Sequence, residues 1–340
     1  MKYLTTISLI CLSIGAFGQD IHFSQFYASP IYVNPASAGV FNGDYRITGN
    51  YRNQWRSVSK PYAYRTFISS VDGYISRGLT RKDFVGGGIT FFNDKAGDAN
   101  LSTNQVNLVG SYIKTLDRRG SRAMAFGLQL GMAQRSYDFQ ALSFNEQFID
   151  NGFDPNAITG ETPGSNSYSY LDAGLGWMFF HTIDRKRSYY LGASAFHLNR
   201  PKQGFLGSTT PLANKYVVKT GMEYKLNREV SFQPKAIYYR QFPYDEFIFG
   251  SFVKYHLREI SDHSAYFVGL WYRWNDAVMI VNMIEFDNLI IGFSYDANVS
   301  SLARASGGNG GMELSIQYIG VFSHRYGSIR SRPMNLCPEF

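Results

Sequence analysis

The chain has 340 residues with 33 Lys and Arg against 26 Asp and Glu, and its formal charge of +7 is dispersed rather than clustered with aromatics, which argues against nucleic-acid binding. Of its two cysteines, Cys11 lies in an N-terminal leader, residues 1–18, and only Cys337 lies beyond it, so no intrachain disulfide can form after processing. An exported chain without disulfides fits a bacterial envelope and excludes a small disulfide-stapled secreted domain.

Residues 1–18 read as a secretory signal: Lys2 gives a positive start, Ile7–Phe17 an apolar core, and Ala16-Phe17-Gly18 a small-residue cleavage site before Gln19. The apolar core is shorter than the roughly 20 residues a spanning helix needs. Ile10 before Cys11 is bulky where a lipoprotein signal prefers a small residue, so a soluble-type leader cleaved near Gly18/Gln19 is expected.

Residues 19–43 contain HFSQFYASPIYVNPASAGV, in which Pro30 and Pro35 exclude a regular helix or a central strand. Yet Phe23, Phe26, Tyr27, Ile31, Tyr32 and Val33 are too apolar to stand free in water. The expectation is a plug-like periplasmic or lumenal segment, packed inside or across the periplasmic mouth of whatever residues 44 onward build.

From residue 44 the pattern changes to period two. In RAMAFGLQLGMA (122–133), Met124, Phe126, Leu128, Leu130 and Met132 alternate with Ala123, Ala125, Gly127, Gln129, Gly131 and Ala133. Leu171, Leu175, Trp177 and Phe179 likewise oppose Asp172, Gly174 and Gly176. Tyr216, Val218, Met222 and Tyr224 oppose Lys219, Glu223 and Lys225, and Leu314, Ile316 and Tyr318 oppose Glu313, Ser315 and Gln317. Soluble strands typically run about 5–6 residues, whereas membrane barrels need about 9–11 per crossing.

Fourteen such segments are predicted: 44–57, 62–77, 83–94, 102–115, 122–136, 169–183, 187–199, 214–226, 230–241, 245–257, 264–275, 277–286, 289–298 and 311–322. The count is even, as single-chain bacterial barrels require. Pro234 weakens the ninth, because proline cannot donate to a ladder. Every second connection is short (GLTRKD, LDRRGS, DRKR, LNRE, REISD, EFDN), while the others include NDKAGDANL and the long stretches 137–168, 200–213 and 298–310. Segregation of loop length by parity is expected of a membrane barrel with periplasmic turns and outer loops. The predicted fold is therefore all-β: a transmembrane antiparallel β-barrel of about 14 strands over 44–322, with an N-terminal plug-like segment. The last strand, ending at Phe322, should close against 44–57, and a tail, 323–340, should emerge into the periplasm carrying Arg325, Arg330, Arg332 and Cys337.

The longest outer loop carries Phe139, Leu142, Phe144, Phe148, Ile149 and Phe153, too apolar for a plain solvated loop. These residues are candidates for a partner-binding surface; the alternative is that they fold back into the lumen. Helical spacing over 143–150 would put Phe144 and Phe148 on one face.

No catalytic, cofactor or metal constellation emerges, so a non-enzymatic role is expected and no cofactor is implied. The six histidines are scattered without metal-ligand spacing. Phe84-Val85-Gly86-Gly87-Gly88 lies inside a strand and is no phosphate loop. Ser24 near His22 is the sole sequence-local nucleophile–base pair, and hydrogen bonding within a folded plug explains it better. Cys337 is a lone thiol, structural or available for an intermolecular disulfide.

The block QDIHFSQFYASPIYVNPASAG, with Phe23, Ser24, Gln25, Pro30, Asn34, Pro35, Ala36 and Gly39, together with GFSYDANVSSL (292–302), GGMELSIQY (310–318) and the ending LCPEF, resembles the PorP/SprF family of type IX secretion system membrane proteins. The resemblance implies a bacterial outer-membrane barrel that works with the type IX machinery. Its partners would be a large adhesin-like surface protein carrying a C-terminal sorting domain, periplasmic and outer-membrane components of the secretion and gliding-motility apparatus, and outer-membrane lipid. Members help export or anchor such proteins at the cell surface. The alternative from the residues alone is a passive, porin-like solute channel. The two differ in the lumen, which must be open to conduct.

Overall fold

The computed structural model describes residues 20–56, 63–77, 83–149, 152–154, 157–161, 164–205, 209–257, 264–301 and 303–322. The strands, in chain order, are β1 (Tyr45–Gln54), β2 (Tyr64–Arg77), β3 (Phe84–Ala96), β4 (Leu101–Thr115) and β5 (Arg122–Ser136). The short pair β6 (Phe148–Ile149) and β7 (Gly152–Phe153) comes next, then β8 (Ser167–Thr182) and β9 (Arg187–Phe196). A second short pair, β10 (Lys202–Gln203) and β11 (Thr210–Pro211), precedes β12 (Lys215–Lys225), β13 (Val230–Gln241) and β14 (Tyr244–His256). The chain of strands ends with β15 (Ala265–Arg273), β16 (Ala277–Phe286), β17 (Leu289–Asn298) and β18 (Asn309–Gly320).

Setting aside the two short pairs, fourteen strands close into one antiparallel barrel in sequence order, and β1 seals against β18 with Tyr45 opposite Gly320 and Gln54 opposite Gly311. All fourteen predicted segments are strands. Closure leaves no unpaired edge, the condition for carrying backbone polar groups through hydrocarbon. No helix among the described residues is long and apolar enough to cross a membrane; the crossing is by strands.

The wall is inverted relative to a soluble sheet. Leu130 is 67% exposed on the outside while its neighbour Gln129 is 4% exposed on the inside. Ala123, Ala125 and Ala133 are fully buried inward. Aromatics gather at both rims. Phe247, Phe249, Tyr272 and Trp274 form a chain with ring separations of 5.3, 5.7 and 6.1 Å at one end, and Tyr45 lies 6.1 Å from Tyr318 and 5.1 Å from Phe322 at the other.

The two rims differ in their connections. One carries the turns after β2, β4, β8, β12, β14 and β16 and is the short-turn end; the other carries 137–166, 197–214 and 299–308 and is the long-loop end. The predicted long connection NDKAGDANL shrinks to Gly97–Asn100 because β3 and β4 extend further than expected. Pro234 stays within β13. Pairing with β12 breaks between Gly221↔Lys235 and Tyr224↔Phe232, which accommodates the missing N–H. The last strand ends at Gly320, so Phe322 packs beyond it on Tyr45 rather than in the ladder.

Candidate functional site

Residues 20–43 run along the inside of this ring. Pro30 occupies the first position of a single helical turn, Pro30–Val33, and Pro35 opens a 3-10 turn, Pro35–Ser37. Each proline sits where its missing N–H costs nothing.

From mid-barrel toward the short-turn end the packing is governed by glycine and backbone. A Cβ on Gly127 of β5 would overlap Pro35 and the Ala36 nitrogen, one on Gly176 of β8 would overlap the Asn34 amide, and one on Gly86 of β3 would overlap the Ala38 carbonyl. Three strands thus give up side chains to admit one stretch of backbone. Asn34 uses both ends of its amide: Nδ2 donates to the Trp177 and Ala193 carbonyls at 3.0 and 3.1 Å, and Oδ1 accepts from Ala36 N–H at 2.9 Å. Ser111 Oγ donates to the Ala38 carbonyl at 2.6 Å. Gly39 has φ +72, a conformation that favours glycine, and its N–H donates to Asp72. Arg46 grips both oxygens of Asp72 at 2.9 and 2.8 Å and the Ser37 carbonyl at 3.2 Å.

At the long-loop end the contacts are charged. Glu313 on β18 accepts the successive N–H groups of Ser24 and Gln25 at 2.6 and 2.8 Å and pairs with Arg52 on β1. Ser24 Oγ accepts from Arg52 and Arg273 and donates to Asp296 at 2.7 Å. Gln25 is held by Ser294 and Ser315. Phe23 packs on Ile68 and Phe92, and Phe26 meets Trp271 edge-on at 5.4 Å. Asp20 reaches His197 Nε2 at 2.7 Å and Lys215 at 3.6 Å, while His197 Nδ1 faces Asp172 at 2.9 Å. Burial alone would lower the His197 pKa, but the carboxylates of Asp20 and Asp172 outweigh it and push it up to about 10. His197 is therefore a cation donating from both ring nitrogens.

The eight family-motif residues all belong to this lumenal assembly, with Phe23, Ser24, Gln25, Pro30, Asn34, Pro35 and Ala36 buried. The conceivable Ser24–His22 pair does not form. His22 pairs with Glu246 at 3.1 Å and Ser24 with arginines and an aspartate, so neither activates the other. Sequence reasoning singled out the segment but not its partners Arg46, Asp72, Arg52, Arg273, Asp296, His197 and Lys215. The available signal was charge at inward positions of otherwise apolar strands.

The outer-loop candidates divide. Phe139 stacks on Phe144 at 5.2 Å, and Phe148 on Phe153 at 5.1 Å across the β6–β7 pair that also holds Ile149. Phe148 and Phe153 are exposed, whereas Leu142 is half-buried. Phe144 and Phe148 do not share a helical face. The turn Asn145–Gln147 is a single 3-10 turn, closed by the Gln147 side chain on the Phe144 N–H, after which the chain turns extended. Phe205 of the neighbouring loop lies between Tyr137 and Tyr168, 4.8 and 4.7 Å away, tying the two long loops together. Arg325, Arg330, Arg332 and Cys337 lie outside the described residues. Among the described residues no group of His, Cys, Asp and Glu could hold a metal ion.

A closed barrel of fourteen strands with an apolar outer wall and a lumen that mixes buried polar and apolar side chains defines a bacterial outer-membrane β-barrel protein. The family of type IX secretion system membrane protein PorP/SprF matches residues 16–318, nearly the whole chain, and the chain belongs to that family. It is thus an outer-membrane component of the type IX secretion system. No curated protein sequence matches it. Among solved structures it is similar to the CymD monoaromatic hydrocarbon channel (10% identity, 93% of this chain and 98% of that one, TM-score 0.50). It is also similar to a TodX deltaS2S3 mutant monoaromatic hydrocarbon channel (7% identity, 86% and 94%, TM-score 0.51). At these identities the likeness is one of fold.

Proposed function

We propose that the protein binds an exported, adhesin-like surface protein carrying a C-terminal sorting domain and helps export or anchor it. It does so without chemistry of its own, using the long-loop end while residues 20–43 plug the lumen. One observation carries the reading: the segment is tied to inward side chains and backbone on β1, β2, β4, β8, β9, β13, β17 and β18, leaving the loops as the freely available surface. A solute channel would need that space. The exposed Phe148–Phe153 pair, on a loop braced by Phe205, supplies an apolar contact of the kind that anchors protein interfaces.

Replacing Phe148 and Phe153 with Ser should abolish co-purification of the exported partner and leave the barrel's heat-resistant gel migration unchanged. The purified barrel should show no steady conductance in planar bilayers. Full partner binding by the double variant removes the loop from the interface, and an open ohmic conductance favours the solute-channel reading.

A further inference from the structure

The direction in which residues 20–43 cross the barrel has a topological consequence. Asp44 adjoins the start of β1 at the short-turn end, its N–H donating to the Gly320 carbonyl. Going backwards along the chain, Gly39 meets Asp72 near the same end. Asn34 then bonds carbonyls midway along β8 and β9. Ser24 reaches Arg52, Arg273 and Asp296, all close to the strand ends that feed the long loops. Finally Asp20 meets His197 just beyond β9, Lys215 at the first residue of β12 and Gln241 at the last residue of β13, every one at the long-loop end. Asp20 is also less enclosed than the residues after it: its side chain is 24% exposed, against 1% for all of Ser24. The segment therefore threads the barrel lengthwise instead of covering the periplasmic mouth.

We infer that the N-terminal end of the segment is presented on the long-loop side of the outer membrane, the cell-surface side when the short turns face the periplasm. That end lies beside the base of loop 197–214, whose Phe205 braces the apolar 137–166 loop. The inference depends on the path of the chain and not on what the loops bind.

The test inserts a short epitope between Gln19 and Asp20, and in separate chains between Gly307 and Gly308 at the long-loop end and between Asp287 and Asn288 at the short-turn end. Antibody binding is read on intact and on permeabilised cells. The expected result is that the N-terminal insertion is bound under the same conditions as the Gly307–Gly308 insertion and not under those of the Asp287–Asn288 insertion. Because the comparison is internal, it holds whichever way the barrel sits. Binding that tracks the Asp287–Asn288 insertion overturns the inference, and so does an epitope reached only after denaturation. A second N-terminal insertion carrying a Gly–Ser spacer controls for folding. If neither version forms a heat-resistant barrel while the Gly307–Gly308 insertion does, the end is enclosed and the inference also fails.

Discussion

The two halves of the lumenal segment are held by different physics. Around residues 34–39, the wall gives up side chains at Gly86, Gly127 and Gly176 so that backbone can lie against backbone, Asn34 fixes the register, and one buried ion pair, Arg46–Asp72, holds Ser37 and Gly39. Around residues 20–25, the wall offers buried arginines and carboxylates, and the segment completes their network through Ser24 and Asp20. Steric complementarity is indifferent to pH and salt but intolerant of added volume. Charge complementarity tolerates modest changes of shape but depends on every partner keeping its proton state. The half near the long loops carries more of the charged partners, so its grip is the one solution conditions alter most.

The largest effect should come from the charged half. Glu313→Ala removes the acceptor of two backbone N–H groups and leaves Arg52 short of its paired carboxylate. Breaking a buried pair by deleting one partner costs about 3–5 kcal/mol, which should lower the urea midpoint for loss of the heat-resistant band. A barrel as stable as the parent would show that Asp296 alone satisfies Arg52. Next comes the steric half. Gly127→Val forces a branched side chain into Pro35 and Ala36, and overpacking of this kind costs about 1–3 kcal/mol. Hydrogen exchange should rise at 34–41 and stay unchanged at 20–25; a uniform rise would mean that the halves are coupled.

The smallest effect is set by pH. His197 is raised from 6.5 to about 10, so its contribution is fully present below pH 6.5 and is lost as pH climbs through about 10. Asp20, although burial alone would raise it, is held below the ordinary carboxylate range by His197 and Lys215, so its contribution is lost only in acid. Between these limits the outer half is tight. Above about pH 10, residues 20–25 should become accessible to protease while 34–41 remain protected, and His197→Gln should remove that pH dependence.

The barrel was legible because an inverted wall leaves a strong period-two signal. In β5 every second residue from Met124 to Met132 is large and apolar, and its bounds, 122–136, agree with the expectation. That the opening segment seeks burial was legible from its aromatics. Its route was not, because it depends on which inward charges the register brings together. Arg52 and Glu313 are 261 residues apart in sequence yet directly opposite in the β1–β18 ladder. The Phe144/Phe148 spacing misled for a local reason. A glutamine side chain closing a 3-10 turn competes with helix, and here it wins, sending Phe148 into an extended pair with Phe153. Gly127 and Gly176 were visible as small inner-face residues and Gly86 as part of a glycine run inside a strand, but the shape they leave open became readable only with Asn34, Pro35 and Ala38 seated in it.

The seam between β1 and β18 joins the two ends of the barrel sequence, so its closure carries the largest entropic penalty of any strand pair in the ring. Residues 24 and 25 touch both sides of that seam at once: Ser24 accepts from Arg52 on the first strand, while Glu313 on the last strand receives both backbone N–H groups. The segment joins β1 at one rim and reaches the other, so the seam and its lumenal filling belong to one continuous stretch of chain. A stretch with almost no regular structure of its own is thus placed as an internal clasp, fastened across the line where the sheet becomes a cylinder.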